Sequence, residues 1–262
     1  ILDPDMYFID THTHLYDEQF SEDAGAAVGR AAEAGVRKMI LPDIDRNSRE
    51  AMFSLAEKFS GTLFPCLGLH PTSVGPGWEE ELEEIEGMAM AGKGIRAIGE
   101  TGMDCYWSKE FLKEQEEAFE RQIRLACRLG LPVIVHCREA TEPIFNVLGK
   151  CRHLSPAGVF HAFSGSIETY RRLARYGDWY VGIGGVVTFR KASIAETVRQ
   201  IPLGRILLET DSPYLTPVPH RGERNESAYI PLIAEKIAAQ KNISIEEVAG
   251  TTSRNAEELF GI

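Results

Sequence analysis

The chain has 262 residues, of which 44% are hydrophobic, and a formal net charge of −11 from 28 basic and 39 acidic residues. This size suits one large α/β barrel or two smaller domains. The chain contains no run of 18 apolar residues, so we expect no membrane span. The acidic balance argues against a protein that coats nucleic acid generically, because such a protein would have a basic surface. An enzyme that binds phosphate esters through local cations is not excluded, because distant charge is screened within about 8–10 Å.

Eight short apolar runs predict β-strands. Several are apolar almost throughout, as in Val133–Val135, which is typical of strands covered on both faces. The predicted strands are Tyr7–His12, Val36–Leu41, Leu63–Leu69, Ile95–Glu100, Leu131–His136, Gly158–His161, Trp179–Ile183 and Arg205–Glu209.

Segments of helical periodicity separate the strands. The clearest is Glu114–Leu129, in which Phe119, Ile123, Ala126 and Leu129 form one apolar stripe. The others are Ala26–Ala34, Ser48–Phe59, Glu79–Ala91, Glu142–Gly149, Ser166–Arg175, Ser193–Gln200, Tyr229–Lys241 and Ile245–Leu259.

Alternation of strands and helices implies parallel strands joined by helical crossovers. Eight repeats in one chain of this size match a closed TIM (β/α)₈ barrel better than an open doubly wound sheet. No Gly-rich dinucleotide fingerprint follows the first strand, and no phosphate-binding P-loop motif is present. We therefore expect a single barrel domain over residues 1–262.

The cysteines and the N-terminal residues bear on the cellular compartment. Five cysteines with no CxxC pair disfavour a disulfide scaffold or zinc ribbon and favour reduced, buried thiols, with Cys137 the strongest candidate for an exception because it adjoins a candidate ligand. Ile1–Asp5 lack the charged and apolar regions of a signal peptide. We expect a cytoplasmic protein with no membrane association and no obligate protein partner.

Residues with metal-ligand chemistry stand at the ends of several predicted strands. His12 and His14 lie two apart in an extended segment, so both imidazoles point to the same side. Glu100 and Asp211 add carboxylates after apolar runs, and His136 and His161 end two consecutive strands. Each alone is more simply a satisfied polar residue at a strand end. Six of them meeting at the C-terminal rim of one barrel would form a metal site.

The ligand set divides into two groups. His12, His14, Glu100 and Asp211 would hold one ion, and Glu100, His136 and His161 would hold the second. Mixed nitrogen and oxygen ligation permits two divalent ions of Zn²⁺, Mn²⁺ or Mg²⁺ without selecting one. Glu100 and Asp211 are also the predicted catalytic carboxylates, with Asp211 accepting a proton from water.

The chain resembles the TatD family of metal-dependent hydrolases, in the amidohydrolase superfamily, over nearly its full length. The resemblance implies a TIM barrel, deoxyribonuclease activity of the Mg²⁺ type, often as a 3′-to-5′ exonuclease, and the same six ligands. The matching stretches are Ile9–His14, Gly68–Pro71, Ile98–Asp104, Pro132–His136, His161–Gly165, Glu209–Leu215 and Pro217–Glu226.

Three residues depart from the family pattern. Cys137 and Glu139 stand where relatives often have serine and aspartate, and Cys105 stands where tyrosine is common. None of them is a predicted ligand, but Cys105 lies in a loop that would contact a base.

The remaining site candidates have plainer alternatives that stay open. His70, Arg138, Arg221 and Arg224 are predicted to bind substrate phosphates, yet a turn histidine, a rim ion pair or solvated loop arginines would explain them equally simply. Glu209 is predicted to hold an imidazole in its tautomer, or else to form a loop salt bridge. Tyr106 and Trp107 are candidates for stacking on unpaired bases.

The leading hypothesis is a phosphodiesterase acting on DNA, with single-stranded or frayed ends as its substrate. A hydroxide activated by the two ions would attack phosphorus. Two alternatives remain at this stage. The same chemistry serves carbonyls, as in aminoacyl-tRNA deacylation or lactone opening, and a decayed barrel would act only as a binding scaffold, against which the intact ligand set speaks.

Overall fold

The computed structural model describes residues 6–92 and 94–262. It confirms the predicted α/β barrel of eight parallel strands, each followed by helical structure. The prediction about a signal peptide concerns Ile1–Asp5, which lie outside the described residues. The strands are β1 (Phe8–Asp10), β2 (Val36–Leu41), β3 (Leu63–Pro65), β4 (Ile98–Asp104), β5 (Val133–Arg138), β6 (Ala157–Phe160), β7 (Asp178–Ile183) and β8 (Ile206–Leu208).

The strands form a closed ring. β1 pairs with β2 and β2 with β3, while β4 to β8 pair in chain order. A parallel bridge between Leu67 and Ile98 joins the two groups on one side. On the other side the backbone N–H of Thr11 donates to the carbonyl of Leu208 at 2.9 Å. Closure brings the carboxyl ends of all eight strands to one rim, which we call the C-terminal rim.

Nine α-helices of the described chain surround the barrel. Asp45, Ser166 and Ser244 begin three of them by accepting a hydrogen bond from a backbone N–H of the first turn. They are α1 (Ala24–Glu33), α2 (Arg46–Lys58), α3 (Trp78–Met90), α4 (Leu112–Leu129), α5 (Thr141–Cys151), α6 (Ile167–Leu173), α7 (Ile194–Gln200), α8 (Ile230–Lys241) and α9 (Ile245–Phe260). No described helix combines the length and apolar character that crossing a bilayer requires.

The barrel interior is packed with apolar side chains rather than open. One residue from each strand, or from the segment beside it, forms an interior layer, and Ala256 and Phe260 of α9 pack against that layer from below. A larger apolar cluster fills the space between strands and helices. The interior layer consists of Ile9, Ile40, Cys66, Ala97, Ile134, Val159, Tyr180 and Leu207.

The predicted bounds of several strands were wrong, since β1 ends at Asp10 instead of His12 and β5 at Arg138 instead of His136. β3 stops at Pro65, whereas β4 begins at Ile98 and runs four residues past Glu100 to Asp104. The added part pairs with β5, with Gly102 opposite His136. A Cβ atom on Gly102 would lie 2.1 Å from the His136 carbonyl oxygen, and its φ is +135°. Glycine therefore permits this close pairing, although in the sequence it resembles a turn signal.

The five cysteines are free thiols, as predicted. Cys66, Cys105 and Cys151 are buried, and burial raises the pKa of the Cys151 thiol to about 11. Burial also raises the pKa of Cys137, the suggested exception. A raised pKa suits inert packing residues rather than nucleophiles.

Candidate metal centre

The Glu100 carboxylate occupies the middle of the C-terminal rim and is 2% exposed. Its Oε2 lies 3.1 Å from Nε2 of His12 and 3.6 Å from Nε2 of His14. Its Oε1 lies 2.6 Å from Nε2 of His161 and 2.8 Å from Nδ1 of His136. One carboxylate thus faces imidazoles from β1 on one side and from the ends of β5 and β6 on the other, which suits a group shared by two cations.

Asp211 completes the β1 side of the centre. Its Oδ1 lies 3.6 Å from Nε2 of both His12 and His14. The two imidazole nitrogens are themselves 3.2 Å apart. The structure therefore brings together all four residues predicted for the first ion, and it does the same for Glu100, His136 and His161.

Buried hydrogen bonds between β1 and β8 fix the positions of these residues. Asp10, fully buried, accepts from the backbone N–H of Thr210 at 3.0 Å, from the Thr210 hydroxyl at 2.6 Å and from the backbone N–H of His12 at 3.2 Å. Asp211, the residue after Thr210, has a φ of +58°, a left-handed backbone conformation that is unfavourable for residues other than glycine. Its backbone N–H donates to the His12 carbonyl at 2.8 Å, which helps to hold that conformation in place.

Tyr16 sets the tautomer of His14. The Tyr16 hydroxyl donates to the carbonyl of Pro42, so it accepts from Nδ1 of His14, 2.8 Å away. The proton of neutral His14 then resides on Nδ1, and the Nε2 lone pair points to the centre. Sequence reasoning missed this role, although Tyr16 continues the alternation of His12 and His14.

Asp104 orients the ring of His136. Its Oδ2 lies 2.9 Å from Nε2 of His136, so that nitrogen carries the proton and Nδ1 is left facing Glu100 and His161. Burial alone would lower the pKa of His136, but hydrogen bonds to Asp104 and Glu100 outweigh it and raise the pKa to about 9. At neutral pH the ring therefore also carries a proton on Nδ1, which a divalent cation would displace on binding. A carboxylate behind a ligand histidine is the usual means of orienting the ring. Asp104 was missed because the sequence places it in a loop.

The donor set fits divalent cations. Nε2 of His161 and Nδ1 of His136 are 3.2 Å apart, as are Nε2 of His12 and Nε2 of His14. Burial first, and repulsion from His161 second, lower the pKa of His12 to about 4, so its imidazole stays neutral. Lone pairs that face each other at this distance repel unless a cation or proton lies between them. Imidazole nitrogen and carboxylate oxygen are ligands of Zn²⁺ and Mn²⁺.

His70 lies beside the centre but differs from the other histidines. Its Nε2 is 3.2 Å from Oε1 of Glu100, within reach of the second ion position. Its Nδ1 accepts the backbone N–H of Thr72 at 3.2 Å, so the proton of the neutral ring is on Nε2. His70 therefore presents a hydrogen-bond donor to the centre rather than a lone pair. Gln122 of α4 fixes this segment by accepting from the backbone N–H of Leu69 at 2.8 Å.

Glu209, predicted to hold an imidazole or to form a loop salt bridge, has a different hydrogen-bond partner in the structure. Its Oε1 accepts from the backbone N–H of Ala162, and its Oε2 has no partner among the described residues. Nδ1 of His12 and Nδ1 of His161 also lack a described partner. Glu209 is fully buried, and burial raises its pKa well above the usual value.

The three arginines are placed differently from one another. Arg138 is exposed and lies over the Tyr106 ring, with its guanidinium carbon 3.8 Å from the ring centroid. Arg221 is exposed and lies 3.8 Å above the ring of Phe189. Both arginines form cation–π contacts in place of the rim ion pair weighed for Arg138.

The guanidinium group of Arg224 forms hydrogen bonds within the protein. It donates to both carboxylate oxygens of Asp23, at 2.7 and 2.8 Å, and to the Gln19 carbonyl at 2.6 Å. This bidentate ion pair ties the loop after β8 to the start of α1. The structure thus gives Arg224 a structural partner, and its predicted phosphate-binding role stays a prediction.

Known proteins match this chain in sequence and in structure over nearly its whole length. The family model described as TatD related DNase matches residues 9–261. An uncharacterized metal-dependent hydrolase of Bacillus subtilis, YabD, is 37% identical over 97% of this chain and 98% of its own length. The 3′-5′ ssDNA/RNA exonuclease TatD of Pantoea ananatis is 33% identical over 97% of this chain and 99% of its own length.

A solved structure, that of the TatD homologue YjjV from Escherichia coli K12, superposes with a TM-score of 0.91 at 29% identity. The match covers 97% of this chain and 98% of that one. The chain belongs to the TatD family of metal-dependent hydrolases.

Proposed function

We propose that this chain, as a single barrel domain, hydrolyses phosphodiester bonds of DNA as a 3′-to-5′ exonuclease on single-stranded or frayed ends. The observation that carries the proposal is the convergence of four histidines on the Glu100 carboxylate, with Asp211 beside two of them. The relative named as a 3′-5′ ssDNA/RNA exonuclease supports the choice of reaction.

Two divalent cations, held by the six candidate ligands, would supply a nucleophilic water and charge neutralisation at phosphorus. The ligands His12, His14 and Asp211 would face one position, and His136 and His161 the other, with Glu100 between them. Tyr16 and Asp104 keep the ligand lone pairs aimed inward through their own hydrogen bonds.

The protein's own groups would move the proton and orient the phosphate. Burial alone would raise the pKa of Asp211, but hydrogen bonding to His14 and nearby imidazoles lower it, so its carboxylate is ionised and able to accept a proton. The Nε2–H of His70 would donate to a phosphate oxygen. The exposed guanidinium groups of Arg138 and Arg221 would contact the flanking phosphates.

The test is hydrolysis of a defined oligonucleotide. A single strand labelled at its 5′ end is incubated with Mg²⁺, Mn²⁺ or Zn²⁺, in parallel with an aminoacyl-tRNA and a panel of lactones. We expect a ladder of 5′-labelled products that shortens with time from the 3′ end. A substrate labelled at its 3′ end should release labelled mononucleotide first.

Glu100→Gln should lower kcat/KM by at least about 1000-fold, because the cations supply several kcal/mol of transition-state stabilisation. Glu257→Gln is the matched control, since Glu257 pairs with Lys38 at the opposite end of the barrel. Turnover of the lactones or the aminoacyl-tRNA with no turnover of DNA would contradict the proposal, as would Glu100→Gln retaining full nuclease activity.

A further inference from the structure

The large apolar side chains that are exposed gather around the metal centre. Six such residues are exposed in the described chain, and five of them follow β4 or β8 at the C-terminal rim. The sixth, Met90, ends α3. Trp107 is 68% exposed, the highest value of the six, and its neighbour Tyr106 is 50% exposed.

Tyr106, Trp107 and Arg138 form one surface, which we call the aromatic platform. The two rings meet edge to face with their centroids 4.9 Å apart. The guanidinium carbon of Arg138 lies 3.8 Å from the Tyr106 centroid and 5.2 Å from that of Trp107. Arg138 forms no ion pair with a described residue, so the edges of its guanidinium remain able to donate hydrogen bonds.

The aromatic platform is joined directly to the metal centre. Oδ1 of Asp104 accepts from the backbone N–H of Tyr106 at 2.9 Å and from that of Trp107 at 3.2 Å. The other oxygen, Oδ2, holds Nε2 of His136. A single buried carboxylate thus fixes both a candidate metal ligand and the loop that carries the rings.

Exposed aromatic rings beside a free guanidinium have the chemistry that recognises unpaired bases. A base stacks on such a ring with little regard to its identity, because every base has a π face, while the arginine contacts a neighbouring phosphate. A base inside a duplex is already stacked on both faces and cannot use the ring. The short connection through Asp104 puts this contact close to the bond that would be cleaved.

We propose that the aromatic platform is the subsite for an unpaired nucleobase of single-stranded nucleic acid, with Trp107 as the stacking residue and Asp104 as the positioning residue. This inference rests on the proposed function in that the ligand is a polynucleotide. It adds the reason for single-strand specificity: the subsite requires a base with a free face.

The experiment measures binding without turnover. Metal is removed with a chelator, and the affinity for fluorescein-labelled oligo(dT) of eight nucleotides is measured by anisotropy. Relaxed circular duplex DNA, which has neither ends nor unpaired bases, serves for comparison. Tryptophan fluorescence in a Trp78→Phe background reports on Trp107, because the third tryptophan, Trp179, is 4% exposed. We expect oligo(dT) to quench this fluorescence and the duplex to leave it unchanged.

Trp107→Ala should weaken oligo(dT) binding by about 5- to 150-fold, which corresponds to one lost stacked base, and Trp107→Phe should retain most of the affinity. Met90→Ala, a matched exposed apolar residue outside the platform, should bind as the parent does. Circular dichroism checks that each variant is folded.

Unchanged affinity of Trp107→Ala, or equal quenching by the duplex, would overturn the inference. Because the assay measures binding and not hydrolysis, a failure of this inference can be distinguished from a failure of the proposed function. Trp107-dependent binding with no DNA hydrolysis would support the aromatic platform and contradict only the exonuclease.

Discussion

The two ends of this barrel are built from opposite kinds of residue. At the lower end, Phe260 and Ala256 of α9 close a layer of apolar side chains that takes one residue from each strand or from the segment beside it. At the C-terminal rim, buried acids and imidazoles face each other within 4 Å, and the exposed aromatic rings of Tyr106, Trp107 and Tyr214 follow β4 and β8 at the same end. Left-handed backbone outside glycine also occurs at the rim, at Ala162, Asp211 and Leu215.

The residues of the interior layer stabilise the fold, whereas those of the C-terminal rim form the candidate functional site. Burial of apolar area in the interior layer favours folding, whereas crowded imidazoles and carboxylates at the rim are costly unless cations bind between them. Backbone strain at the rim is tolerated because the packed interior constrains the strands below it. Substitutions at the two ends should therefore have effects of different kinds.

The largest effect on stability is expected at the lower end. Phe260→Ala should lower the free energy of unfolding by about 3–5 kcal/mol, since it removes a buried aromatic ring and leaves a cavity. It should leave kcat/KM unchanged at temperatures where the variant is folded. Urea unfolding followed by circular dichroism measures the first quantity, with Met90→Ala as the exposed control. A fall in kcat/KM of the folded variant would show that the two ends are not independent.

A smaller effect, on metal affinity, is expected at the rim. Asp104→Asn removes the carboxylate that orients His136 and should weaken metal binding by about 10- to 100-fold. The matched control is Asp178→Asn, because Asp178 begins β7 at the lower end and pairs with Arg205, away from the metal centre. Isothermal titration with Mn²⁺ gives the dissociation constants. Equal affinity in the two variants would mean that Asp104 does not orient the ligand.

The smallest effect concerns the ion pair between Arg224 and Asp23. Hydrogen bonding to Arg224 is the main reason that the pKa of Asp23 falls to about 2. Since this folded pKa lies below the unfolded value of about 4, the stabilisation is present above pH 4 and is lost as the pH falls toward 2.

Arg224→Met should therefore raise the Asp23 pKa toward its ordinary value, as measured by NMR titration of the carboxyl carbon. The loss of stability at neutral pH should be below ~1 kcal/mol, since the pair is partly exposed. Binding of single-stranded DNA should be unaffected, whereas Arg221→Met should weaken it. Loss of DNA binding in Arg224→Met would instead show that Arg224 contacts the substrate.

The sequence alone determined the fold and the identity of the groups that meet at the rim. Strand and helix periods are local properties, so eight apolar runs with intervening amphipathic segments were sufficient to predict a closed parallel barrel. In such a barrel all strand ends lie at one rim, and this brought His12, Glu100, His161 and Asp211 together in the prediction.

The tertiary structure decided which atom of each group faces the centre. Tyr16 and Asp104 select the inward nitrogens of His14 and His136, and Thr72 makes His70 a donor. It also paired Arg224 with Asp23, which lies 201 residues away in the chain. Hydrogen-bond partners depend on side-chain direction and on contacts between distant segments, and residue spacing does not encode either.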